Sequence, residues 1–452
     1  MIKRVFIANR GEIALRILRA CRELRVTSII GYSEADIDSL PVKLSDEKIC
    51  IGPSKPIDSY LNIPSIVSAL EVKDCDAVHP GYGFLSENPF FVEICYKSGI
   101  TFIGPSPENL KLMGDKSMAR RVVQEHGLPI IPGYDNVSDH KKALKYAGKF
   151  GFPLIIKASA GGGGRGMRIV RDEKEFENFW HACQHEAKIA FDNPSLYIEK
   201  YIERPRHIEV QVIVDKKGKA LIFPERDCSL QRRHQKLIEE SPSPIIDSSL
   251  RRKFQKISAR ICKVTNYRNV GTIEYLFDGI SHPYFLEMNT RIQVEHPVTE
   301  VITGIDIVKE QIETASGETL KYPFYFVPFC GHSIECRINA EDPQKNFMPS
   351  PGKIKKLILP GGPGIRVDTH IYEGYTVPPY YDSLIAKIIS FGSTREEAIA
   401  RMQRALKEIV IEGISTTIDF HRNVFEHPIF LSGRYYVGWL EKFGEEEENG
   451  KR

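Results

Sequence analysis

Leu154-Ile155-Ile156-Lys157-Ala158-Ser159-Ala160-Gly161-Gly162-Gly163-Gly164-Arg165-Gly166-Met167-Arg168-Ile169-Val170 is a glycine-rich stretch between two apolar runs. It contains a Gly-x-Gly-x-x-Gly string, but in a run of four glycines such a match is nearly automatic. Because the loop follows one predicted strand and precedes another, rather than a helix, Rossmann and Walker-type loops are both disfavoured. The pattern predicts a hairpin loop whose backbone N–H groups close over phosphates, with Lys157 supplying positive charge. A flexible hairpin without a ligand is the alternative.

A second predicted hairpin pairs the strands Thr272–Phe277 and Tyr284–Asn289. If it is centred at residues 280 and 281, Glu274 lies directly opposite Glu287, and Asn289 shares the face of Glu287. Two carboxylates and an amide oxygen on one face form a hard-oxygen site suited to Mg²⁺, with nucleotide phosphate oxygens as the remaining ligands. The alternative is a solvated face whose acids pair with lysines. Together with the glycine loop, the hairpin favours ATP–Mg²⁺.

Two polar segments accompany these hairpins. Thr290–Pro297 follows the second hairpin directly, and its cation and carboxylate, Arg291 and Glu295, suit an anionic substrate and a proton acceptor. A surface salt-bridged turn is the alternative. Glu225–Lys236 is densely charged and is predicted to be a polar loop, which by itself could be solvated or bind RNA; no interleaved aromatic residues support RNA.

The first hundred residues alternate short apolar runs with amphipathic stretches. Val5–Ala8 is typical of a strand, and the apolar residues that follow Arg10 and Gly11 fall at helical spacing. Such alternation predicts βαβ units and a parallel sheet. We predict one boundary between residues 104 and 133, around a helical segment at Met113–Glu125, and a second boundary near residue 330.

Composition excludes several classes of protein. At roughly 150 residues per domain, 452 residues suggest about three domains. A net charge of +3, from 62 basic and 59 acidic residues, gives no reason to expect nucleic acid or an anionic membrane as partner. No apolar run reaches the roughly 20 residues of a membrane helix. Nine cysteines without a C-x-x-C pair predict free thiols and a cytoplasmic protein.

Six longer motifs resemble those of the biotin carboxylases, and the likeness spans nearly the whole chain. Beside the glycine loop, they are Ile7–Ala14, His79–Asn88, Met113–Lys116, Glu225–Lys236, Glu287–Pro297 and Glu335–Pro343. The local sequence Arg233-His234-Gln235-Lys236 is similar to that of the biotin carboxylases that are separate subunits of bacterial acetyl-CoA carboxylases. These enzymes serve fatty acid biosynthesis. Related pyruvate carboxylase subunits more often have Asn at the position of His234.

The resemblance implies an α/β and α+β multidomain protein with the ATP-grasp fold. We expect an N-terminal Rossmann-like domain at 1–114, an ATP-grasp domain at 115–330 with a mobile lid at about 131–203, a C-terminal biotin carboxylase domain at 331–446, and a tail at 447–452. The implied reaction uses ATP, Mg²⁺ or Mn²⁺, and bicarbonate to form carboxyphosphate, and then carboxylates N1 of biotin.

The resemblance also implies roles for individual residues. The implied nucleotide contacts are Lys116, Lys157, Gly163, Gly164, Met167, Glu199, Lys200, Ile202, His207, Gln231, His234, Glu274 and Glu287. The implied metal ligands are Glu274, Glu287 and Asn289. The implied bicarbonate and biotin pocket is Lys236, Arg291, Gln293, Val294, Glu295 and Arg337, with Glu295 as general base and Arg337 stabilising the biotin enolate. Implied homodimer contacts are Arg16, Arg19, Glu23 and Arg366, although Pro363 stands where the family usually has an aromatic residue.

Partners follow from what the chain lacks. It has seven methionines but no Met-Lys-Met, the usual setting of a biotinylated lysine. We therefore expect biotin on a separate carboxyl carrier protein, together with carboxyltransferase subunits. The biotin carboxylase of a pyruvate or other acyl-CoA carboxylase, another ATP-grasp ligase and a non-catalytic ATP-binding protein remain alternatives.

Overall fold

The structure is a computed structural model that describes residues 2–137, 139–158, 168–191, 195–280 and 282–443. The predicted contacts at Gly163, Gly164 and Met167 and the predicted tail lie outside the described residues.

The N-terminal part forms the predicted parallel sheet, with strand order β3-β2-β1-β4-β5. Side chains of β1 alternate between two cores, since Val5 packs with helix α1 whereas Phe6 packs with α3 and α4. Both faces are therefore covered, as in doubly wound folds. The elements are β1 Arg4–Ile7, α1 Gly11–Glu23, β2 Thr27–Ser33, α2 Leu40–Leu44, β3 Glu47–Gly52, α3 Ile63–Val72, β4 Ala77–His79, α4 Pro89–Lys97, β5 Thr101–Phe102 and α5 Pro107–Gly114.

The segment predicted as one helix around Met113–Glu125 is two helices. Helix α5 ends at Gly114, and Asp115 caps the next helix by accepting hydrogen bonds from the backbone N–H groups of Ser117 and Met118. An aspartate favours an N-cap over a helix interior because its short carboxylate satisfies N–H groups that have no intrahelical partner.

A four-stranded antiparallel sheet follows, with order β6-β9-β7-β8. Strands β7 and β8 pair directly, which confirms that the glycine-rich stretch connects two hairpin strands. The core beneath the sheet includes Leu154, Ile156, Phe176 and Trp180. The elements are α6 Lys116–Glu125, β6 Gly133–Val137, α7 His140–Phe150, β7 Leu154–Ala158, β8 Arg168–Val170, α8 Glu173–Phe191 and β9 Leu196–Lys200.

The largest layer is an eight-stranded sheet of antiparallel pairs in the order β14-β13-β10-β11-β12-β15-β22-β20. Strands β12 and β15 pair across the predicted boundary near residue 330, so one sheet continues from the central part into the C-terminal part. Its first elements are β10 Arg206–Val214, β11 Ala220–Arg232, β12 Gln235–Ser241, α9 Ser248–Val264, β13 Asn269–Phe277, β14 Pro283–Asn289, α10 His296–Thr303 and α11 Ile307–Ala315.

The C-terminal part completes this sheet and adds several short strand pairs beside it. Its elements are β15 His332–Asn339, β16 Glu341–Asp342, β17 Met348–Pro349, β18 Gly352–Lys353, β19 Lys356–Ile358, β20 Ile365–Thr369, β21 Thr376–Val377, β22 Leu384–Gly392, α12 Arg395–Glu408, β23 Val410–Glu412, α13 Ile418–Glu426 and α14 Pro428–Leu431. The predicted domain limits stay predictions.

The prediction of a polar loop at Glu225–Lys236 was wrong. Most of the segment belongs to two paired strands, β11 and β12, in the middle of the large sheet. The charges at its start are buried because distant residues neutralise them: Glu225 pairs with Arg251 at 2.8 Å, and Arg226 pairs with Glu209 at 3.1 Å. A charge can be buried when it is paired and hydrogen-bonded, and such partners are not visible in a local window.

All nine cysteines lie among the described residues and none is bonded to another. Across the described ranges, no helix combines the length and apolar character needed to cross a membrane.

Candidate active site

A cavity of about 900 Å³ lies where the N-terminal loops meet the large sheet and residues 291–295. Its wall contains most of the residues singled out from the sequence, which come from several strands and loops. They are Lys116, His207, Gln231, His234, Lys236, Glu274, Glu287, Asn289, Arg291, Gln293, Val294, Glu295 and Arg337. Because adjacent strands lie about 4.8 Å apart, side chains from neighbouring strands on one face of the sheet can contact one another here.

Lys236 lies at the centre of the charged cluster. Its Nζ is 3.0 Å from Oε1 of Glu274 and 2.8 Å from Oε1 of Glu295, and it also contacts Glu209. Burial alone would lower the pKa of Lys236, but these carboxylates raise it well above its ordinary value. The ammonium is therefore charged at neutral pH and offers a fixed positive charge at the cavity wall.

Glu295 has a cation on each carboxylate oxygen. Lys236 contacts Oε1, and Nη2 of Arg337 lies 2.9 Å from Oε2. Burial would raise the pKa of Glu295, but Lys236, Arg337 and the nearby Arg226 bring it below its ordinary value. At neutral pH, Glu295 is therefore an ionised carboxylate in a fixed orientation, which a proton acceptor requires.

Arg337 is itself held by a second carboxylate. Its Nε donates to Oε1 of Glu239 on the neighbouring strand β12 at 2.6 Å. Burial raises the pKa of Glu239 to about 7, although Arg337 opposes this shift. This arrangement fixes the guanidinium plane at the cavity wall.

The loop between β14 and α10 is attached at two points. Arg291 donates from Nε to Glu87 at 2.9 Å and from Nη2 to the Asn289 side-chain oxygen at 3.0 Å. Gln293 donates to Glu274 at 2.8 Å and accepts from Arg226 at 2.5 Å. Both side chains are thereby directed along the cavity wall.

The predicted pairing of strands β13 and β14 is confirmed, with an added irregularity. Glu274 pairs with Glu287, but Tyr275 pairs with Phe285, so Leu286 is an extra residue in β14. Such a bulge changes the direction of the strand. Nδ2 of Asn289 lies 2.6 Å from Oε1 of Glu274, whereas Glu287 forms an ion pair with Lys116. Two carboxylates and an amide oxygen on adjacent strands fit a hard divalent cation.

His207, Glu209 and Glu274 form another group whose potential ligand atoms lie within 4.8 Å of one another. Burial would lower the pKa of His207, but Glu274 and Glu209 raise it to about 9. In the absence of a metal, His207 is therefore a protonated, hydrogen-bonded cation between these two carboxylates.

Four predicted nucleotide contacts do not line this cavity. Lys157, Glu199 and Lys200 lie on the four-stranded sheet, and Ile202 follows it. Lys157 forms an ion pair with Glu199, and Lys200 donates to the carbonyl of Phe152 at 2.8 Å. They belong to a layer that is separate from the large sheet.

Three buried residues of the cluster were missed from the sequence: Glu209, Arg226 and Glu239. Glu209 shares a face of β10 with His207 and Gln211, and this polar row within an apolar strand was a usable signal. Arg226 and Glu239 lie in segments whose burial only the tertiary pairing reveals.

Most of the residues predicted to form dimer contacts form ion pairs within the chain. Arg16 pairs with Glu300 at 2.8 Å, and Arg366 pairs with the same carboxylate at 2.7 Å. Glu23 forms an ion pair with Lys309, and Arg19 is exposed.

Comparison with known proteins places the whole chain in one family. Residues 1–110 match the biotin carboxylase N-terminal domain, residues 115–322 match the ATP-binding domain of the carbamoyl-phosphate synthase L chain, and residues 335–442 match the biotin carboxylase C-terminal domain.

Individual relatives agree with these matches. The chain is 53% identical to biotin carboxylase 1 of Bacillus subtilis over 98% of this chain and 99% of that protein. It is 49% identical to a pyruvate carboxylase subunit of Methanothermobacter thermautotrophicus, with 98% and 90% covered. The biotin carboxylase domain dimer of the Hydrogenobacter thermophilus 2-oxoglutarate carboxylase, solved with MgADP, ADP and bicarbonate, superimposes with a TM-score of 0.87 at 46% identity, covering 98% of each chain. The chain therefore belongs to the biotin carboxylase family, ATP-dependent ligases with the ATP-grasp fold.

Proposed function

We propose that this cavity binds ATP, a divalent cation and bicarbonate, and that the chain carboxylates N1 of biotin attached to a separate carrier protein. One observation carries the proposal: an ionised, buried Glu295 whose two oxygens contact Lys236 and Arg337 at a cavity wall. Such a group can take a proton from a small anion while the neighbouring cations hold that anion.

In the first step, Lys236 and Arg291 hold bicarbonate, and Glu295 accepts its proton. The deprotonated oxygen attacks the γ-phosphorus of ATP. The bond to the β-phosphate oxygen breaks, which yields ADP and carboxyphosphate. Glu274, Glu287 and Asn289 are the residues that would hold Mg²⁺ or Mn²⁺. The cation would supply charge neutralisation for the phosphate oxygens.

In the second step, the C–O bond of carboxyphosphate breaks and phosphate leaves. The N1 proton of biotin passes to the departing phosphate, and N1 forms the C–N bond to the carboxyl carbon. Arg337 would stabilise the negative charge on the ureido oxygen of biotin through its guanidinium N–H groups. Glu239 keeps that guanidinium in place.

The remaining nucleotide contacts are proposed on both sides of the cavity. His207, Gln231, His234 and Lys116 belong to the wall described above. Lys157, Glu199, Lys200 and Ile202 would join them only when the four-stranded sheet closes over ATP, and such closures exclude water from hydrolysable intermediates.

The direct test is ATP hydrolysis with and without bicarbonate and free biotin. We expect hydrolysis that depends on bicarbonate and increases with biotin. Bicarbonate-independent hydrolysis, or ligation to an amine, would contradict the proposal.

We further propose a role in the first half-reaction of acetyl-CoA carboxylase, for fatty acid biosynthesis in the cytoplasm, with the chain acting as a homodimer. The support is that position 234 is occupied by His, as in the biotin carboxylases of acetyl-CoA carboxylases, rather than by Asn. His234 has φ of +65° in the turn between β11 and β12, a conformation in which Asn is also frequent. The His-to-Asn difference between the two carboxylase groups is therefore a difference of side-chain contacts rather than of the turn. Labelled bicarbonate, offered with carrier and transferase proteins of either system, distinguishes acetyl-CoA from pyruvate as acceptor.

A further inference from the structure

We propose that Lys387 is a positioning residue for the bicarbonate loop, defined as residues 290–295. The inference rests on the function proposed above. Lys387 does not line the cavity, and it lies in none of the sequence motifs described above.

The first observation is a direct contact to the loop. Nζ of Lys387 donates to the backbone carbonyl of Val294 at 2.8 Å. Because a peptide unit is planar, fixing this carbonyl also fixes the N–H of Glu295 and the direction in which the Glu295 chain continues. The general base and the Val294 segment of the anion pocket are therefore oriented by one ammonium group.

The second observation links Lys387 to the opposite wall. Its Nζ lies 3.1 Å from Oε1 of Glu12 at the start of α1, and the same carboxylate accepts a hydrogen bond from the Tyr82 hydroxyl. Glu12 and Tyr82 both line the cavity. Lys387 thus ties the N-terminal wall to the loop that carries Glu295.

The third observation is the placement of the lysine on the large sheet. Lys387 lies on β22 directly opposite Arg337 on β15 and Asp368 on β20. Its side chain is fully buried. A buried ammonium opposite a guanidinium is costly unless it has a specific partner, so an apolar residue would serve packing alone better. Glu12, Glu335 and Asp368 compensate for burial and raise the pKa of Lys387, which keeps the donor charged.

The experiment compares the wild-type protein with Lys387→Met, which keeps the length of the side chain and removes its donor. We expect the KM for bicarbonate to rise about tenfold to hundredfold, because a small misplacement of reacting groups has effects of this size. The KM for ATP should change by less than about twofold, since the nucleotide contacts are separate. Lys387→Arg retains a cationic donor and should recover part of the bicarbonate affinity.

Arg395→Met is the matched control. Arg395, in the C-terminal part, also neutralises a buried carboxylate, Glu240 on β12 at 2.7 Å, but its contacts within the described part of the chain lie away from the bicarbonate loop. We expect lower stability in this variant without a change in the KM for bicarbonate. Lys387→Met leaves the carboxylate of Glu12 without its cation, and this variant could fail to fold for that reason. The double variant Lys387→Met, Glu12→Gln removes that charge as well. It should fold and keep the raised KM for bicarbonate.

An active wild-type enzyme together with an unchanged bicarbonate KM in Lys387→Met, or in the double variant, would overturn this inference alone. Equal increases in the KM for ATP and for bicarbonate would also overturn it. A wild-type protein without bicarbonate-dependent ATP hydrolysis would contradict the proposed function and this inference together.

Discussion

Replacing Lys236 by Met removes a cation that three carboxylates of the site share. Glu209, Glu274 and Glu295 all contact its ammonium group, and its side chain is only 13% exposed. Each carboxylate keeps another cationic partner: Arg226 for Glu209, His207 for Glu274, and Arg337 for Glu295.

Because these partners remain, the three lost contacts will not add up as independent terms. Breaking one buried ion pair costs about 3–5 kcal/mol, and we expect the variant to lose free energy of unfolding in this range. The pKa of Glu295 should rise, since the opposite charge 2.8 Å from its carboxylate is lost. The acid limb of the rate profile should then move to higher pH.

The assay has two parts. Urea unfolding of the wild-type and variant proteins gives the change in stability. Bicarbonate-dependent ATP hydrolysis between about pH 5 and pH 9 gives the shift of the acid limb and the KM for bicarbonate. Lys321→Met is the control: this lysine is 75% exposed, and its solvent-screened pair with Glu318 should contribute little to stability.

The reasoning would be refuted by a variant with wild-type stability and an unmoved acid limb. That result would mean that the remaining cations satisfy the cluster, and that Lys236 has no electrostatic influence on Glu295.

Three further outcomes are expected. Glu295→Ala should lose turnover by about 10²–10⁴ while equilibrium binding still shows ATP affinity, and a defect confined to ATP affinity would contradict the role as base. Glu287→Gln should lose most of the Mg²⁺-dependent turnover because a ligand charge is removed; unchanged activity at ordinary Mg²⁺ would exclude the metal role. The folded-state pKa of His207, about 9, exceeds its ordinary 6.5, so its stabilisation is present in full below pH 6.5 and is lost as pH rises to about 9. In the wild-type protein, the free energy of unfolding measured with urea should therefore fall between pH 6.5 and about 9, and His207→Gln should remove at most about 3 kcal/mol of this fall. If the free energies of unfolding of the two proteins change in parallel with pH, His207 does not have such a pKa.

Short apolar runs and hairpin geometry were sufficient to predict much of this fold. The parallel N-terminal sheet followed from alternating strand and helix patterns, and the opposition of Glu274 and Glu287 followed from the register of one hairpin. The bulge at Leu286 was not predicted, because the consecutive apolar residues Tyr284, Phe285 and Leu286 hide the shift in phase that one extra residue causes.

Burial of charge was the main point at which sequence reasoning failed. In the local sequence, Glu225 and Arg226 resemble loop residues. They are buried because Arg251 and Glu209, which are distant along the chain, neutralise them. Lys387 had a usable signal, since it is the single charged residue in the apolar strand Leu384–Gly392. A lone lysine in a strand of this kind indicates a buried carboxylate or carbonyl partner.

The pairing of β12 with β15 has a consequence for dividing the polypeptide. Lys236 and Arg337 lie on these two neighbouring strands, so a cut near residue 330 would separate the two cations that hold Glu295. It would also expose an unpaired edge on β12, with Leu237 and Ile238 no longer packed against the core of the second fragment. Open apolar edges recruit other strands, so we expect the separate fragments to aggregate rather than to complement each other in solution.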